Sequence, residues 1–429
     1  MTAFLLICVG VLLLAAVPVG IALGSASLLT ILAGGSLNAL IITQKLMGGV
    51  NKFSLLAIPM FSLAGEIMSI GGTSDKLIYL ANKVVGRFRG GLAMVATLAS
   101  MFFGAISGSA TATASAIGGI MVPPMERAGY RRDFSAAVIA SSGLLGLIIP
   151  PSGTMLMYAI VADVSVLEMF TGGIIPGIIM GISLMIVEFF VSKKQGYGKS
   201  TFELEEFKTQ KKSKIIVHSF LALLSPVIIL GGIYSGKFTA TEAAGVSVLY
   251  GLLIGYFVYK QLTFKDAFNA CVKTGISSST ILFLIGAASV FGWMLTMQQI
   301  PTMITKAIQG LTSSPRVVLL LCNLALLVAG ALLDNVAAIT LLTPVLVPLV
   351  KAYGIDPTFF GIIMIINLSI GQITPPIGMN LFVAANIANV KLEAVIRQVI
   401  PFLLVLIFDL FLFTYVPGIV TFLPGLVLG

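Results

Sequence analysis

The sequence carries little charge and almost no histidine. Only 10% of its 429 residues are charged, whereas a soluble globular domain carries about 25%, so there is too little charge to cover a water-facing surface. His218 is the one histidine, and Cys8, Cys271 and Cys322 are scattered in or beside apolar stretches. These absences argue against a metalloprotease motif, a Ser-His-Asp set, a disulfide framework and a metal site built from cysteine and histidine. No P-loop motif occurs either, so we expect no enzyme and no use of ATP as the energy source.

Hydrophobic residues, by contrast, make up 58% of the chain. This composition predicts an all-α polytopic membrane protein. The net charge of +9 lies mainly in loops between apolar runs, where the positive-inside rule places basic residues, so it does not indicate a nucleic-acid partner. The first apolar run has no basic n-region and no cleavage signal, and we interpret it as a retained membrane helix rather than a signal peptide.

A repeated sequence organises the chain. Residues 146–156 and 371–381 each place two adjacent prolines and two glycines in an apolar run, and matched residues lie 225 positions apart. Successive prolines unwind a helix because proline lacks an amide donor and clashes with the preceding turn. Unwound backbone persists in a membrane only where protein or a polar cavity surrounds it. Interrupted spans at corresponding positions of two halves therefore predict the binding site of a transporter.

The other apolar runs are long enough to cross a membrane, which takes about 20 residues. A short run at 36–50 suits an interfacial helix, as does its counterpart at 263–275, and 75–90 is predicted to be an amphipathic helix along the membrane surface. The lysine-rich stretch 193–214 is predicted to be a cytoplasmic linker between the two halves. The predicted continuous spans are 3–32, 53–71, 166–192, 215–236, 240–259, 276–297 and 398–416.

Two further segments are predicted to be re-entrant helical hairpins. Residues 91–125 have a small, hydroxyl-rich centre and basic residues at both ends, which favours entry and exit on the same side of the membrane with a tip near 107–111. One long helix with a small-residue packing face is the alternative. The second hairpin covers 316–351 with its tip at Asp334 and Asn335, and the broken spans are 134–160 and 357–388. A single connecting span between the halves makes them an inverted repeat.

The hairpin tips and the breaks carry the polar groups of the candidate site. A carboxylate in a membrane is costly and marks an ion or substrate path by default, so Asp334 is a candidate ligand for Na⁺ or a proton. Asp334 also suits the role of an N-cap, and the two roles are compatible. Ser107, Ser109 and freed carbonyl groups at the first tip offer further oxygen ligands, and no cluster there suits a transition metal.

Helices that restart after the breaks present amides and a positive dipole end to an anion. We therefore predict a small anionic solute bound near the residues at these starts and near neighbouring hydroxyl groups. The candidates are Ser152, Gly153, Thr154, Ile377, Gly378, Met379 and Asn380 at the helix starts, and Thr111, Thr340 and Thr343 as hydroxyl groups. No arginine lies in a predicted span, and the acids Glu66, Glu188, Glu242 and Asp409 are interpreted mainly as packing or interfacial groups.

These motifs resemble the large membrane subunit of TRAP (tripartite ATP-independent periplasmic, DctM-like) transporters. The resemblance rests on the hairpin sequence from Gly104, on both proline breaks, and on the run from Gly330 to Asn335, and it covers nearly the whole chain. It implies an elevator mechanism within the wider ion-transporter superfamily. It implies a moving transport domain and a scaffold with the following boundaries: transport domain 91–160 and 316–388; scaffold 1–90, 161–275 and 389–429; helix and connector 276–315.

The resemblance also implies Na⁺ as the coupling ion and two protein partners in the bacterial inner membrane and periplasm. These partners are a soluble periplasmic substrate-binding protein and a small four-helix membrane subunit, which we expect to be a separate chain because no such domain precedes Met1. It implies sialic acid or a C4-dicarboxylate as solute, with sialic acid preferred. The family's cation sites carry over onto Ser107, Gly108, Ser109 and Gly146 at one tip and onto Asp334, Asn335, Gly371 and Thr374 at the other.

Two alternatives remain open at this stage. The chain is either a subunit of such a tripartite system or a stand-alone carrier or antiporter of the same fold. A membrane enzyme lacks a catalytic constellation here, and a channel does not need two inverted broken spans. The repeat also predicts that the cation sites differ chemically, because Leu333-Asp334-Asn335 replaces the Ser-Gly-Ser tip.

Overall fold

The computed structural model describes residues 1–34, 38, 40–198 and 212–428, and every regular element in these residues is helical. The part of the predicted linker at 199–211 lies outside the described residues.

The helices before the linker are α1 (Thr2–Leu14), α2 (Val19–Gly34), α3 (Leu40–Val50), α4 (Ala57–Ile70), α5 (Thr73–Val85), α6 (Gly91–Ser107), α7 (Ala110–Arg127), α8 (Arg132–Gly143), α9 (Leu145–Ile148), α10 (Gly153–Ala162) and α11 (Val166–Gln195). Those after it are α12 (Lys212–Tyr234), α13 (Ala240–Leu253), α14 (Phe264–Met297), α15 (Ile300–Leu311), α16 (Pro315–Leu332), α17 (Asn335–Ala352), α18 (Pro357–Gly371), α19 (Met379–Ala388), α20 (Leu392–Tyr415) and α21 (Gly418–Leu428).

Many of these helices have the length and composition of membrane spans. Within the described residues, eight spans qualify, two of which join α4 to the preceding helical turn Phe53–Leu56 and α13 to the following segment Ile254–Val258. A ninth span is formed if the pair Arg132–Ile148 and Gly153–Ala162, bent by 43°, is counted as one. The chain is therefore a multi-pass α-helical membrane protein, as its composition predicts.

Both predicted hairpins are present. Gly108 ends α6 in the left-handed conformation with φ of 61°, and Ser109 is the extended N-cap of α7. Glycine adopts this conformation without the steric cost that a side chain brings. Leu333 and Asp334, both extended, make the corresponding turn between α16 and α17. The alternative of one long helix through 91–125 is wrong, because the chain reverses at Gly108.

Both predicted breaks are also present. Helical structure stops after Ile148 and resumes at Gly153, and it stops after Gly371 and resumes at Met379. The peptide bond between the paired prolines is cis in each repeat. The fold is thus an inverted repeat with two re-entrant hairpins and two broken helices.

The first predicted span, 3–32, is wrong as a single helix. The chain forms α1 and α2 there, which pack on each other. Ala16 takes a left-handed conformation with φ of 57°, and Pro18 follows it. Proline has no amide to continue the hydrogen-bond ladder, so the helix ends before it.

The predicted boundary between an interfacial helix at 263–275 and a span at 276–297 is also wrong. α14 runs without interruption from Phe264 to Met297. A reciprocal capping box between Thr263 and Asp266 starts this helix, and no proline follows within it, so nothing ends it at Gly275. The helices Ile300–Leu311 and Gly418–Leu428 lie where the sequence predicts only a connector and a tail.

The hairpins and broken helices form the centre of the molecule. α8 and α18 are almost completely buried in the largest hydrophobic core. The two repeats interlock there, since α19 packs on α7 and α8 while α10 packs on α17. A separate core joins α1 and α2 to α14. The fold therefore brings the two breaks and the two tips to the centre of the molecule.

Paired glycines bring each hairpin against the broken helix of its own repeat. A Cβ added to Gly104 lies 2.7 Å from the Gly146 Cα, and one added to Gly371 lies 2.3 Å from the Gly330 carbonyl carbon. Both partners are backbone atoms, which have no alternative rotamer. The contact between hairpin and break is thus made main chain to main chain in both repeats.

We predict that Gly104→Ala destabilises the fold by about 1–3 kcal/mol, because the new methyl group overpacks a rigid backbone contact. Thermal unfolding in detergent measures the effect. The matched control is Gly119→Ala in the same hairpin, where an added Cβ has no heavy atom within 4 Å and alanine favours the helix. Equal melting temperatures for the two variants contradict the close contact.

Candidate functional site

A cavity of about 690 Å³ lies between the hairpin tips and two helices of the first and second repeats. On one side it is lined by both tips and by residues next to both breaks, and on the other by α4 and α14. Its volume lies within the range of small-molecule sites. The residues that carry polar side chains are Ser62, Glu66, Ser69, Ser107, Ser109, Thr111, Ser115, Thr154, Lys273, Thr274, Ser277, Asp334, Asn335 and Gln372.

The first tip concentrates oxygen atoms. The Ser107 and Thr113 hydroxyl groups lie 2.8 Å apart, and Thr113 donates a hydrogen bond of 2.7 Å to the Ser109 carbonyl. A Cβ added to Gly146 lies 2.6 Å from Thr113 Oγ1 and 2.8 Å from the Ser109 carbonyl oxygen. Gly146 therefore brings bare backbone against this oxygen cluster, which a side chain there would fill.

The first break satisfies its own backbone with hydroxyl groups. Ser152 donates a hydrogen bond of 2.6 Å to the Leu147 carbonyl, and Thr154 donates a longer one of 3.3 Å to the same oxygen. Ser152 also accepts a hydrogen bond from the Met155 amide and so caps α10. Pro150, Pro151 and Ser152 are buried, so unwound backbone is tolerated here because protein surrounds it.

The second tip carries a carboxylate and an unpaired amide. Asp334 caps α17 by accepting a hydrogen bond of 3.0 Å from the Val336 amide, as the capping interpretation predicts. Asn335 is 1% exposed, and neither polar atom of its side chain has a hydrogen-bond partner among the described residues. A buried amide left without partners is costly, so the Asn335 side chain is free to act as a ligand.

The second break is more open than the first. Pro375, Pro376 and Ile377 are exposed. The backbone carbonyl of Gln372 accepts a hydrogen bond of 3.1 Å from the backbone amide of Asn380. The Gln372 side chain lines the cavity, and its Oε1 atom has no partner in the described part of the chain. The two breaks thus share a backbone plan and differ in exposure.

The structure brings many of the predicted site residues to the cavity. Those that line it are Ser107, Gly108, Ser109, Thr111, Gly153, Thr154, Asp334, Asn335 and Met379. Gly146 and Gly371 lie behind the tips, where they contact the hairpins. Ser152 is buried beside Thr154.

Other predicted residues are engaged elsewhere. Thr340 donates to carbonyl groups of its own helix, and Thr374 does the same to Ile370 at 2.9 Å. Thr343 is buried against Met364. Asn380 donates a hydrogen bond of 2.7 Å to the Ala140 carbonyl and so joins α19 to α8. These four side chains do not line the cavity.

The sequence did not predict the cavity wall that α4 and α14 form opposite the tips. Lys273 projects from α14, and its Nζ lies 2.6 Å from the Glu66 Oε1 on α4. In the sequence, Lys273 falls in the predicted interfacial helix 263–275, and the predicted boundary at 275 concealed that it lies within a continuous helix. The available signal was a lysine close before the predicted span 276–297.

The remaining membrane acids lie away from the cavity. Glu188 is buried on α11 and accepts a hydrogen bond from Thr97 on α6. Asp409 on α20 accepts one of 3.1 Å from Ser183, and Glu242 forms the capping box of α13. The first two join packed helices and the third starts a helix, as their interpretation as packing and interfacial groups predicts.

The donor atoms at both tips suit a hard cation. Hydroxyl and carbonyl oxygens surround Gly146 at the first tip, and a carboxylate with an unpaired amide oxygen stands at the second. Such oxygen sets favour alkali or alkaline-earth cations over transition metals. No group of three or more histidine, cysteine or acidic residues suited to a metal ion occurs among the described residues.

Comparison with known proteins decides the family. The sequence profile of the tripartite ATP-independent periplasmic transporter DctM component matches residues 6–419. This chain belongs to the DctM family. The resemblance stated from the motifs is therefore confirmed, and the chain is a large permease component of the TRAP transporter type.

Curated relatives of this DctM-family chain are named for different solutes. It is 40% identical over 413 residues to the isethionate TRAP transporter permease protein DctMQ of Oleidesulfovibrio alaskensis, covering 96% of this chain and 65% of that protein. It is 37% identical over 418 residues to the sialic acid TRAP transporter large permease protein SiaM of Vibrio cholerae, covering 97% of each. It is 39% identical over 404 residues to the C4-dicarboxylate TRAP transporter large permease protein DctM of Pseudomonas aeruginosa, covering 94% and 93%.

Among solved structures, the YdaH transporter of Alcanivorax borkumensis, described as having an unusual topology, has a similar fold. The TM-score is 0.64 at 16% sequence identity, and the match covers 87% of this chain and 86% of that one. At this identity the likeness shows a common fold only.

We predict that a cysteine at position 111 reacts much faster with a charged methanethiosulfonate reagent than one at position 340. Thr111 lines the cavity, whereas Thr340 is fully buried and bonded within its helix. The variants Thr111→Cys and Thr340→Cys are compared in a background in which Cys8, Cys271 and Cys322 are replaced by serine. Equal labelling rates contradict the placement of Thr111 in the cavity wall.

Proposed function

We propose that this DctM-family chain is the large subunit of a Na⁺-coupled secondary transporter of the bacterial inner membrane. It imports a small organic acid that a soluble periplasmic binding protein delivers, and it works together with a small membrane subunit. The observation that carries the proposal is that both tips and both breaks of an inverted repeat border one cavity. Inverted repeats with discontinuous helices place coupling ions and substrate together in this way in secondary transporters.

The chemistry of the tips supports Na⁺ as the coupling ion. Ser107, Ser109, Thr113 and the backbone beside Gly146 would hold one cation, and Asp334 with Asn335 would hold another. A bound cation supplies positive charge in a site that otherwise contains two carboxylates, Glu66 and Asp334, and one ammonium group, Lys273. The cavity therefore favours a solute anion once cations have neutralised its own negative charge.

The start of α10 supports an anionic solute. Gly153 and Thr154 line the cavity at the first turn of this helix, where free amides and the dipole favour negative charge. Relatives named for isethionate, C4-dicarboxylates and sialic acid are 37–40% identical to this chain, so overall identity does not separate these solutes. We propose a small organic acid, with sialic acid and C4-dicarboxylates as the first candidates.

We propose an elevator movement for the transport step. In it, the hairpins and broken helices move as the transport domain (91–160 and 316–388) against the scaffold. Gly65 of α4 supports this division, because a Cβ there lies 2.9 Å from the Ser107 Cα. The first tip therefore packs directly on the α4 backbone at a position that has no side chain.

Uptake into proteoliposomes tests the proposed function. Vesicles containing the chain and its small subunit receive radiolabelled sialic acid, succinate or isethionate, with and without the binding protein and with inward Na⁺ or H⁺ gradients. We expect uptake of one of these acids to require both the binding protein and Na⁺. Uptake that proceeds equally well without a binding protein indicates a stand-alone carrier and contradicts the proposal.

We predict that Asp334→Ala strongly reduces Na⁺-dependent uptake, because it removes the carboxylate at the second tip. It also removes an N-cap, which costs about 0.5–2 kcal/mol by itself. Asp356→Ala is the matched control, because Asp356 caps α18 through a hydrogen bond of 2.7 Å from the Phe359 amide and lies outside the cavity. If both variants keep the wild-type dependence on Na⁺ concentration, Asp334 has no part in coupling.

We predict that Asn335→Leu leaves the melting temperature unchanged or raises it when Na⁺ is absent, because a buried unpaired amide is exchanged for an apolar group of similar size. The stabilisation that Na⁺ gives to the wild type should be lost in this variant, because a ligand stabilises only a protein that binds it. Thermal unfolding in NaCl and in choline chloride measures both effects. Equal stabilisation of the variant and the wild type by Na⁺ excludes Asn335 from the cation site.

A further inference from the structure

The wall of the cavity opposite the tips carries a polar face within two membrane helices. Ser62, Glu66 and Ser69 follow one another at helical spacing on α4, and Lys273 and Ser277 do so on α14. α14 has the length and hydropathy of a membrane span, and so does α4 together with the helical turn Phe53–Leu56 that precedes it. Charged side chains in such helices are costly and are by default functional. The charged and polar side chains that α4 and α14 present to the cavity are therefore candidates for a function.

Lys273 presents an ammonium group to this cavity. Its Nζ lies 2.6 Å from Glu66 Oε1, and the side chains are 71% and 22% exposed. An ammonium group has three donors, and Glu66 is the acceptor found for Lys273 among the described residues. The other N–H donors of the Lys273 ammonium group therefore remain available for a further acceptor.

The position of Lys273 is distinctive among the groups around the cavity. It is the one cationic side chain among the described residues that line it, and the carboxylates there are Glu66 and Asp334. A solute with an acidic group meets no other positively charged side chain in the described part of the wall. An ammonium group can bind a carboxylate or a sulfonate through charge-assisted hydrogen bonds.

We propose that Lys273 binds an acidic group of the solute from the scaffold wall, and that Glu66 pairs with the ammonium group when no solute is present. This inference rests on the proposed function, since it assigns a contact to the same organic acid. Glu66 then competes with the solute for Lys273. Loss of the glutamate charge should therefore strengthen binding, while loss of the lysine charge should weaken it.

A structural role for the ion pair makes a different prediction. If the pair only joins α4 to α14, the neutral variants Glu66→Gln and Lys273→Gln break the same bond and have similar effects. If Lys273 binds the solute, the two variants change solute affinity in opposite directions. The sign of the Glu66→Gln effect therefore separates the two roles.

The experiment measures equilibrium binding of radiolabelled acid to the purified full-length chain in detergent with Na⁺ present. The probe is sialic acid, succinate or isethionate, whichever acid the wild type takes up. We expect Lys273→Gln to raise the Kd about tenfold or more, as the loss of a charge-assisted hydrogen bond does. Glu66→Gln should lower the Kd, and the double variant should resemble Lys273→Gln.

Lys265→Gln serves as the matched control, because Lys265 is an exposed lysine in the first turn of the same helix and lies outside the cavity. If Lys273→Gln does not fold, Glu66→Gln alone decides, together with Lys273→Arg, which keeps the charge. A rise in Kd for Glu66→Gln comparable to that for Lys273→Gln overturns the proposal, as does an unchanged Kd for Lys273→Gln. Failure of the proposed function looks different, since the wild type would then take up none of the acids, or would take one up equally well without the binding protein.

Discussion

Backbone groups that leave a helix inside a membrane must find partners within the protein, because lipid offers none. This chain meets that constraint at each break with its own polar groups. Ser152 and Thr154 bond to the Leu147 carbonyl in the first repeat, and the Asn380 amide bonds to the Gln372 carbonyl in the second. α8 and α18, which lead into these points, are almost completely buried. The core thus surrounds the first unwound segment with protein, while the second stays partly exposed at Pro375, Pro376 and Ile377.

The two repeats share a backbone plan and differ in chemistry. Each has a hairpin, a glycine contact between hairpin and break, and a cis bond between paired prolines. The first tip offers hydroxyl and carbonyl oxygens, whereas the second offers Asp334 and the unpaired Asn335. The first break is buried and the second is partly exposed. The repeat therefore gives both halves the same backbone architecture, and the residue differences between the repeats allow the two tips to bind different ligands.

Local signals made most of the fold predictable. Glycine, proline and aspartate mark the tips and breaks through backbone conformation alone, so hairpins and broken helices follow from the sequence. The sequence predicts the first span and the boundary at 275 wrongly. Apolar length outweighs Pro18 in the first case, and the polar run 263–275 suggests a separate interfacial helix in the second. The Lys273–Glu66 pair could not be predicted, because it depends on the packing of two helices whose paired residues lie 207 positions apart in the sequence.

If both tips hold cations beside one solute site, the binding of cation and acid must be thermodynamically linked. The direct test is the Kd of the purified chain for its radiolabelled acid, measured over a range of Na⁺ concentrations at ionic strength held constant with choline chloride. The account predicts that the Kd falls as Na⁺ rises, and that the acid increases the affinity for Na⁺ by the same factor. A Kd for the acid that does not change with Na⁺ concentration contradicts it.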